Sequence, residues 1–314
     1  MKPDVLSMRP IFPASQKMLE QEFAVHKLWQ GGDFESRIAP VADRIRALVT
    51  LGTVGADARL IDALPKLEII ASSGAGLGSI DLVRAKERGI VVTNTPDGDA
   101  LAESVADLAW GMLLGLARRI YESDRFVRDG KWAQDEFPLG TAVGGKRFGI
   151  IGLGSIGRRA ARRAEAFGMT VRYHGPRRKT DISYRYYDTL HALARDADFL
   201  LVCCPARRET RNLIDATVLD ALGPNGILIN VARGSIVDEA ALINALREKR
   251  IAGAALDVYA NEPQVPPELT ALDNTLLTPH IGSATHEIRS ARGERVLTNL
   301  RSHFSGRPVP NCAA

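Results

Sequence analysis

Apolar positions in this chain fall into short runs that alternate with segments of helical spacing. RALVT (46–50), LEIIASS (67–73) and IVVTN (90–94) have the composition of strands, and IDLVRAKERG (80–89) has apolar residues three and four apart. The segment 100–128 is rich in Ala, Leu and Glu with the same spacing, which predicts one long helix that leads out of a first lobe.

The alternation resumes at Phe148. Strands are predicted at 148–151, 169–173, 198–203, 226–231, 252–257 and 275–278, and helices at 156–167, 188–195, 215–221, 238–248 and 285–304. Because parallel strands need crossover connections, this order predicts an α/β fold with doubly wound parallel sheets. We expect two such domains, a larger one over 98–284 and a smaller one formed by 1–97 and 285–314, since the first lobe lacks a closing element.

Composition narrows the class of protein. The 314 residues are 45% apolar and 25% charged, as in ordinary globular proteins, and a net charge of +4 is too small for a nucleic-acid-binding footprint. Three cysteines, without disulfide or zinc spacing, point to a reducing compartment. The N-terminus has no unbroken apolar core, and the apolar run 106–117 is too short to span a bilayer. We therefore expect a cytoplasmic protein with no metal site and no membrane or nucleic-acid partner.

Gly152, Gly154 and Gly157 form a G-x-G-x-x-G motif directly after a predicted strand and at the start of a predicted helix. In this setting the first glycine permits a tight turn, the second lets the backbone approach a pyrophosphate, and the third lets the helix pack on the strand. The motif predicts a dinucleotide site. The alternative is a glycine-rich turn without a ligand.

A basic loop follows the second strand of this unit, where an NAD site usually carries an acidic residue. After Tyr173 the chain continues with His174, Gly175, Pro176, Arg177, Arg178 and Lys179, and the first carboxylate is Asp181. Guanidinium groups pair well with phosphate oxygens, so the loop predicts NADPH as the cofactor, with NADH weaker. The alternative is a solvated basic loop. The arginines of the preceding helix are assigned to its solvent face: Arg158, Arg159, Arg162 and Arg163.

A second glycine cluster, SSGAGLGS (72–79), lacks the dinucleotide spacing and has no basic neighbour. The backbone N–H groups of Ala75 and Gly76 can hold a small carboxylate, as exposed N–H groups after a strand often do. A tight turn without a ligand is equally compatible with the spacing.

Three ionisable residues each follow an apolar strand: Arg233, Glu262 and His280. Because the carboxyl ends of parallel strands face the cofactor crevice, we expect them to converge there. An arginine binds the carboxylate of a 2-oxo acid, a histidine protonates the developing alkoxide, and a carboxylate beside an imidazole stabilises its protonated form. Taken singly, Arg233 can cap a turn, Glu262 can be a solvated acid, and His280 can be a buried, hydrogen-bonded histidine.

Four motifs in this order give the chain a resemblance to a known family. GIIGLGSIG, NVARGSIVDE, ALDVYANEP and TPHIGSAT resemble those of the D-isomer-specific 2-hydroxyacid dehydrogenases, and within them the NADP-dependent glyoxylate and hydroxypyruvate reductases. The likeness covers nearly the whole chain. It implies a Rossmann-type dinucleotide-binding domain over 98–284 and a smaller flavodoxin-like substrate-binding domain built from both chain ends, 1–97 and 285–314. It also implies a homodimer joined through the helix near 100–128.

The resemblance also implies roles for individual residues. Arg233 would bind substrate, His280 would be the acid/base with Glu262 as its partner, and the backbone of Ala75 and Gly76 would contact the substrate. The implied cofactor contacts are Ser155 and Ile156 on the pyrophosphate, Cys204 and Pro205 along the adenosine, Val231 and Ala232 near the nicotinamide ribose, and Asp257 at the carboxamide. Thr210 and Ser283 complete the predicted cofactor-binding set.

The leading hypothesis is NADPH-linked reduction of a small 2-oxo acid such as glyoxylate or hydroxypyruvate to glycolate or D-glycerate. A second hypothesis, of another class, is a dinucleotide-sensing interaction protein that keeps this fold without turnover. A third is a phosphonate- or formate-oxidising relative.

Overall fold

The computed structural model describes residues 2–30, 34–52, 54–96 and 98–313. The chain divides into two compact units: unit 1 comprises Met1–Ala100 and Ala284–Ala314, and unit 2 comprises Leu101–Ser283. The α/β fold class is confirmed in both. The predicted boundaries at 97/98 and 284/285, and the assignment of one domain to substrate and the other to dinucleotide, stay predictions; residue 97 lies outside the described residues.

Unit 1 is built on a parallel sheet. Its strands are β1 (Asp4–Ser7), β2 (Ala24–Lys27), β3 (Ile45–Thr50), β4 (Ile69–Ser72) and β5 (Val91–Thr93). Its helices are α1 (Pro13–Glu22), α2 (Phe34–Ile38), α3 (Ala58–Asp62) and α4 (Leu82–Glu87), followed by the start of α5 (Gly98–Ala117) and, after unit 2, by α12 (His286–Phe304). The strand order is β2-β1-β3-β4-β5, which is the flavodoxin-like doubly wound order. The first two strands and α1 were missed by the sequence pattern.

The chain returns to unit 1 with α12, which packs on one face of this sheet. Val296, Leu297 and Leu300 are fully buried in a cluster with residues of β1, β3 and β4. Each such side chain contributes roughly 1.5–3 kcal/mol on burial. The apolar residues of α12 are few, as its sequence shows, but they line the one stripe that faces the sheet.

Unit 2 contains a larger parallel sheet. Its strands are β6 (Arg147–Ile151), β7 (Thr170–His174), β8 (Arg185–Tyr187), β9 (Phe199–Val202), β10 (Ile227–Asn230), β11 (Gly253–Leu256) and β12 (Thr275–Leu277). Its helices after α5 are α6 (Ile120–Arg128), α7 (Ser155–Ala166), α8 (Leu190–Arg195), α9 (Ala216–Leu222), α10 (Glu239–Arg247) and α11 (Pro267–Thr270). The order β12-β11-β10-β9-β6-β7-β8 is that of a Rossmann sheet, with the topological switch between β6 and β9.

The prediction of one long helix over 100–128 is wrong. Two helices, α5 and α6, are separated at Arg119, whose backbone is left-handed with φ of 53°. The chain returns at Thr141, whose N–H donates to the carbonyl of Ala117 at 2.7 Å. This contact satisfies one of the carbonyls that a helix leaves unpaired at its C-terminus, so a tertiary hydrogen bond ends α5 where the residue types alone favour continuation.

Helix α5 is longer than the predicted apolar run. By length and composition it would suffice to cross a membrane, with a mean hydropathy of 1.4 over its most apolar window, but half of that window is buried within the protein. Trp110 stacks on Phe167 at 4.8 Å and packs against Phe148 of β6 at 5.5 Å. Core helices meet the same criteria of length and hydropathy, and this packing identifies α5 as one.

Candidate active site

The carboxyl ends of the unit 2 strands lie along one edge of the sheet, because all of the described strands are parallel. The predicted functional residues of this unit follow those ends: Gly152 after β6, His174 at the end of β7, Cys204 after β9, Val231 to Arg233 after β10, Asp257 after β11 and His280 after β12. In sheets of this order, ligands bind at that edge.

The glycine motif adopts the geometry that a dinucleotide needs. Gly152 has φ of 95°, and a Cβ there would lie 2.7 Å from the Cα of Cys204. A Cβ on Gly157 would lie 2.4 Å from the carbonyl oxygen of Gly152, so α7 packs closely against β6. A Cβ on Gly154 would meet open space, beside the helix N-terminus formed by Ser155 and Ile156. Unpaired N–H groups at a helix start favour a phosphate, and the residues present therefore fit the predicted pyrophosphate.

The loop after β9 contains Cys204, Pro205 and Thr210. The Thr210 hydroxyl donates to the Pro205 carbonyl at 2.9 Å and accepts from the N–H of Arg207 at 2.7 Å, so its side chain closes this loop on itself. Burial raises the pKa of the Cys204 thiol, and that of Cys203 more strongly. Both thiols stay protonated at neutral pH, and neither provides a nucleophile.

The basic loop after β7 presents cations without acidic partners. Arg177, Arg178 and Lys179 are exposed, and within the described ranges none of them forms an ion pair. His174 is occupied differently, because its Nδ1 lies 2.9 Å from the carbonyl oxygen of Tyr187. The carbonyl of Gly175 accepts from the Tyr186 hydroxyl, and Pro176 is exposed.

The arginines of α7 contrast with the loop, since each of them pairs with a carboxylate. Arg158 pairs with Asp181 at 2.9 Å, and Arg159, Arg162 and Arg163 all contact Glu103 at 2.8–3.2 Å. The hydrogen bond from Arg158 lowers the pKa of the Asp181 carboxyl. These four arginines are neutralised within the protein, while the loop cations are not.

Glu262 and His280 are brought together. His280 Nδ1 lies 2.6 Å from Glu262 Oε2, and the other carboxylate oxygen accepts from the N–H of Tyr259 at 3.1 Å. The His280 backbone has φ of 53°, a conformation that non-glycine residues seldom adopt outside functional turns. Its side chain is 33% exposed and that of Glu262 29%, so neither the fully buried histidine nor the freely solvated acid describes them.

With Nδ1 held by the carboxylate, Nε2 is the ring nitrogen that faces away from Glu262. Among the residues that the structure describes, no hydrogen bond engages Nε2. An imidazole held in this way can donate a proton from Nε2 while the carboxylate stabilises the charged form and fixes the ring.

Asp257 is buried and fully engaged with the turn that carries His280. Its Oδ1 accepts from the Thr278 hydroxyl and the Ile281 N–H, both at 2.7 Å, and its Oδ2 accepts from the Gly282 N–H at 2.9 Å. The side chain is 1% exposed. Asp257 therefore anchors the segment 278–282. The next residue, Ser283, is the last of unit 2. The predicted contact of Asp257 with a carboxamide stays a prediction.

Arg233 is exposed in the turn after β10, and the buried residues of that turn fix the position of its backbone. It is the N-cap residue of the short 3-10 helix Gly234–Ile236, but its side chain forms no capping hydrogen bond to that helix. Its guanidinium donates to the Ala232 carbonyl at 2.6 Å. Buried Asn230 donates to the Arg233 carbonyl at 3.1 Å and accepts from the Ala232 N–H at 3.0 Å. Val231 and Ala232 are both buried beneath this turn.

Ala75 and Gly76 lie in unit 1, in the loop after β4. The carbonyl of Ala75 accepts from the side-chain amide of Asn94 at 3.0 Å, and that of Gly74 accepts from the N–H of Thr95 at 3.0 Å. These contacts turn the carbonyls into unit 1. In the described part of the chain the N–H groups of Ala75 and Gly76 donate to no other group, as a small carboxylate site requires.

Several positioning residues escaped the sequence reasoning. Asn230, Thr278 and Asn94 each hold a predicted site residue through a polar side chain. Tyr259 joins the ends of two strands, because its hydroxyl donates to the carbonyls of Leu256 and Thr278 at 3.2 and 3.0 Å. Burial raises the pKa of Tyr259 to about 12. Their shared place at strand ends is a weak sequence signal, because amides and hydroxyls are common there, and it does not show which groups they hold.

Comparisons with known proteins agree with this geometry. The family model for the D-isomer specific 2-hydroxyacid dehydrogenase, NAD binding domain, matches residues 110–282. The chain is 48% identical over 305 residues to glyoxylate/hydroxypyruvate reductase A HPR2 from Arabidopsis thaliana, covering 97% of each. It is 46% identical over 305 residues to hydroxyphenylpyruvate reductase from Plectranthus scutellarioides, again covering 97% of each.

Among solved structures, the chain is similar to the NADPH-dependent glyoxylate/hydroxypyruvate reductase from Sinorhizobium meliloti in complex with NADP and malonate. The two are 39% identical with a TM-score of 0.86, and the match covers 100% of this chain and 97% of that one. The similarity thus extends over both units of the chain. The chain belongs to the D-isomer specific 2-hydroxyacid dehydrogenase family.

Proposed function

We propose that this protein reduces small 2-oxo acids, with glyoxylate and hydroxypyruvate as the preferred class, to 2-hydroxy acids such as glycolate and D-glycerate, using NADPH. The single observation that carries the proposal is the Glu262–His280 pair at the carboxyl edge of a sheet whose first turn has the dinucleotide motif. The names of the Arabidopsis and Sinorhizobium relatives support the same reaction.

Each residue of the candidate site has a defined task in this reaction. His280 donates a proton from Nε2 to the oxygen of the 2-oxo group, and Glu262 stabilises the charge on the ring before that transfer. Arg233 binds the substrate carboxylate, for which its planar guanidinium is suited. The nicotinamide, when bound, supplies the hydride, so the protein needs no nucleophile. The N–H groups of Ala75 and Gly76 are assigned to the substrate carboxylate as well.

The choice of NADPH rests on the loop after β7. Arg177, Arg178 and Lys179 are exposed cations that pair with no carboxylate in the described ranges, and the nearest acid along the chain, Asp181, is neutralised by Arg158. A 2′-phosphate would supply the missing negative charge. NADH lacks that phosphate and would bind more weakly.

A rate panel tests the proposal. We expect kcat/KM with NADPH to exceed that with NADH at least tenfold, and glyoxylate and hydroxypyruvate to be turned over better than hydroxyphenylpyruvate. Arg177→Ala combined with Arg178→Ala should remove most of the NADPH preference, whereas Arg162→Ala, which alters an arginine already paired with Glu103, should not. A higher kcat/KM with NADH would refute the cofactor assignment.

The same rate panel distinguishes the reductase from the second hypothesis, a dinucleotide sensor without turnover. Tight NADPH binding with no oxidation of NADPH by any 2-oxo acid would favour a sensor. The reductase names of relatives that match over 97% of their length favour catalysis. Oxidation of phosphite or formate with NADP would instead indicate the third hypothesis.

We further propose that the protein is a cytoplasmic homodimer. Beyond α5, the chain exposes large apolar side chains that a single copy leaves in water: Ile120, Tyr121, Val127, Trp132 and Leu139, with exposures from 51 to 92%. Exposed apolar side chains of this size favour association, and a second copy is the partner that the resemblance implies. Light scattering coupled to size-exclusion chromatography tests this, and a monomeric mass at micromolar concentration would refute it. Within the described residues none of the three cysteines forms a disulfide bond, which is consistent with a reducing compartment.

A further inference from the structure

The basic loop after β7 is held at both ends by tyrosine hydroxyl groups. At its start, the Tyr186 hydroxyl donates to the carbonyl of Gly175 at 3.1 Å. At its end, the N–H of Lys179 donates to the Tyr173 hydroxyl oxygen at 2.7 Å. Arg177 and Arg178 lie between these two bonds, so the tyrosines fix the stretch of backbone that carries the cations.

The two tyrosines form one rigid support. Tyr173 is the fourth residue of β7 and is 1% exposed, and Tyr186 is its Cα partner on β8. Their rings lie 5.3 Å apart at 52°. Because both rings are packed and both hydroxyls point to the loop, the anchor points are set by the sheet rather than by the loop itself.

An ion pair holds the chain at a third point, C-terminal to the three cations. Asp181 pairs with Arg158 of α7 at 2.9 Å, which draws the only nearby carboxylate of the loop toward the helix. Arg177, Arg178 and Lys179 stay exposed and, within the described residues, without an ion pair. The three unpaired positive charges repel one another, and a bound dianion would relieve this repulsion. Because the backbone of the loop is already fixed, little conformational entropy of the backbone is lost when the dianion binds.

We propose that Tyr173 and Tyr186 are positioning residues that determine the preference for a 2′-phosphorylated nucleotide, acting through the backbone of the loop rather than by contact with the nucleotide. The proposal rests on the proposed use of NADPH and deepens it. Each hydroxyl bonds to the loop and not to a neighbouring strand, so its removal leaves the backbone ladder of the sheet unchanged.

Conservative variants isolate the hydroxyl groups. For Tyr173→Phe and Tyr186→Phe we expect the Kd for adenosine 2′,5′-bisphosphate, measured by titration calorimetry, to rise about two- to tenfold, which is the range for loss of one hydrogen bond. The Kd for 5′-AMP should not change. The KM for NADPH should rise in parallel, with kcat and the KM for NADH unchanged.

Tyr187→Phe provides the matched control, because its hydroxyl donates to Asp196 instead of the loop. It should leave both nucleotide affinities unchanged. If the Phe variants weaken 5′-AMP and the bisphosphate equally, or weaken neither, the positioning role is refuted. Should Tyr173→Phe fail to fold, Tyr186→Phe decides alone.

The nucleotide affinities of the wild-type protein separate the proposed role of the tyrosines from the proposed use of NADPH, on which it rests. If the wild-type protein binds the bisphosphate no better than 5′-AMP, the choice of NADPH fails and the role of the tyrosines falls with it. If the wild-type protein prefers the bisphosphate and the Phe variants keep that preference in full, only the role of the tyrosines is refuted.

Discussion

His280 Nδ1 lies 2.6 Å from Glu262 Oε2, while the second oxygen of the same carboxylate accepts from the N–H of Tyr259. The carboxylate is thus held by backbone at one oxygen and holds the imidazole with the other. Such an arrangement fixes the ring plane without using Nε2, the nitrogen that would face a substrate.

The first prediction concerns this pair. His280→Ala should lower kcat by about 10²–10⁴ because a positioned general acid contributes that much, while the Kd for NADPH stays within about twofold of wild type. Glu262→Gln should give a smaller loss, since the amide keeps a polar contact but carries no charge. Stopped-flow or steady-state assays with glyoxylate measure both.

Glu268→Gln is the control for the loss of one acidic group, because Glu268 is exposed on α11 away from this pair. Near-normal kcat in His280→Ala would remove His280 from the acid role.

The second prediction concerns Asp257, which accepts from three donors in a buried position. Asp257→Ala should reduce the free energy of unfolding of the unit by about 3 kcal/mol, because three buried donors lose their acceptor at once. Thr278→Val removes only one of those bonds and should cost about 1 kcal/mol. Urea unfolding followed by tryptophan fluorescence compares them, and equal losses would contradict the proposed anchoring by the carboxylate.

The third prediction separates two glycines of the nucleotide turn. A Cβ on Gly157 would lie 2.4 Å from backbone, whereas a Cβ on Gly154 would meet no protein atom within 4 Å. Gly157→Ala should therefore lower Tm, while Gly154→Ala should leave Tm unchanged and raise the Kd for NADPH at least tenfold by filling the approach to the pyrophosphate. Thermal unfolding and calorimetry give the two quantities. Unchanged NADPH affinity in Gly154→Ala would place the pyrophosphate elsewhere.

The fourth prediction concerns stability in acid. Arg147 binds both oxygens of Asp198, at 2.8 Å and 3.1 Å, and these hydrogen bonds lower the pKa of Asp198. A carboxyl with a lowered folded-state pKa contributes stability above its unfolded value of about 4 and loses it as the pH falls. The stability difference between wild type and Asp198→Asn should therefore be largest above pH 5 and shrink toward pH 3.

Asp220→Asn is the matched control for the loss of a surface carboxylate, because Asp220 is 55% exposed in its pair with Arg250. It should change stability by less than about 1 kcal/mol at any pH. A pH-independent difference for Asp198→Asn would show that its effect is not linked to proton binding.

The fifth prediction concerns Asn94, whose amide donates to the carbonyl of Ala75. Asn94→Ala should raise the KM for glyoxylate about three- to tenfold, because the loop loses the bond that orients its N–H groups. The KM for NADPH should not change. Asn311→Ala is the comparison, since its side chain bonds to Asn299 and not to the loop. A rise in the KM for NADPH alone would contradict a role of the loop in substrate binding.

Much of the fold could be predicted because its signal is local. The strands from β6 to β12 are short apolar runs bounded by turns, and the prediction recovered each of them except β8. The strand β8 (Arg185–Tyr187) has three residues, an exposed arginine and no apolar alternation, so it forms only because Tyr186 packs on Tyr173 of the neighbouring strand. Strands β1 and β2 are likewise defined by pairing rather than by their own composition, because β1 pairs with β3 and β2 pairs with β1.

The break between α5 and α6 shows the limit most clearly. Arg118, Arg119 and Ile120 contain no glycine or proline, and arginine is a good helix former. The helix ends because Thr141, more than twenty residues later, donates to the carbonyl of Ala117. No local pattern encodes that contact.

The candidate site divides in the same way. Arg233, Glu262 and His280 could be found because ionisable residues directly after apolar strands are unusual, and the sheet places strand ends together. Asn230, Thr278 and Asn94 could not, since amides and hydroxyls at strand ends are common and only hydrogen-bond geometry reveals what they hold.

The interrupted path of unit 1 has a consequence for its synthesis. Residues 1–100 leave the ribosome before unit 2, but the face of their sheet on which Val296, Leu297 and Leu300 pack is covered only in part, by α1, until α12 is made. Unit 2 is a single continuous segment of the chain, so it can fold while that face of unit 1 is still exposed to water or bound by a chaperone. Premature termination after unit 2 is complete but before α12 is made would therefore leave a chain with one folded unit and one exposed apolar sheet face that is prone to aggregate.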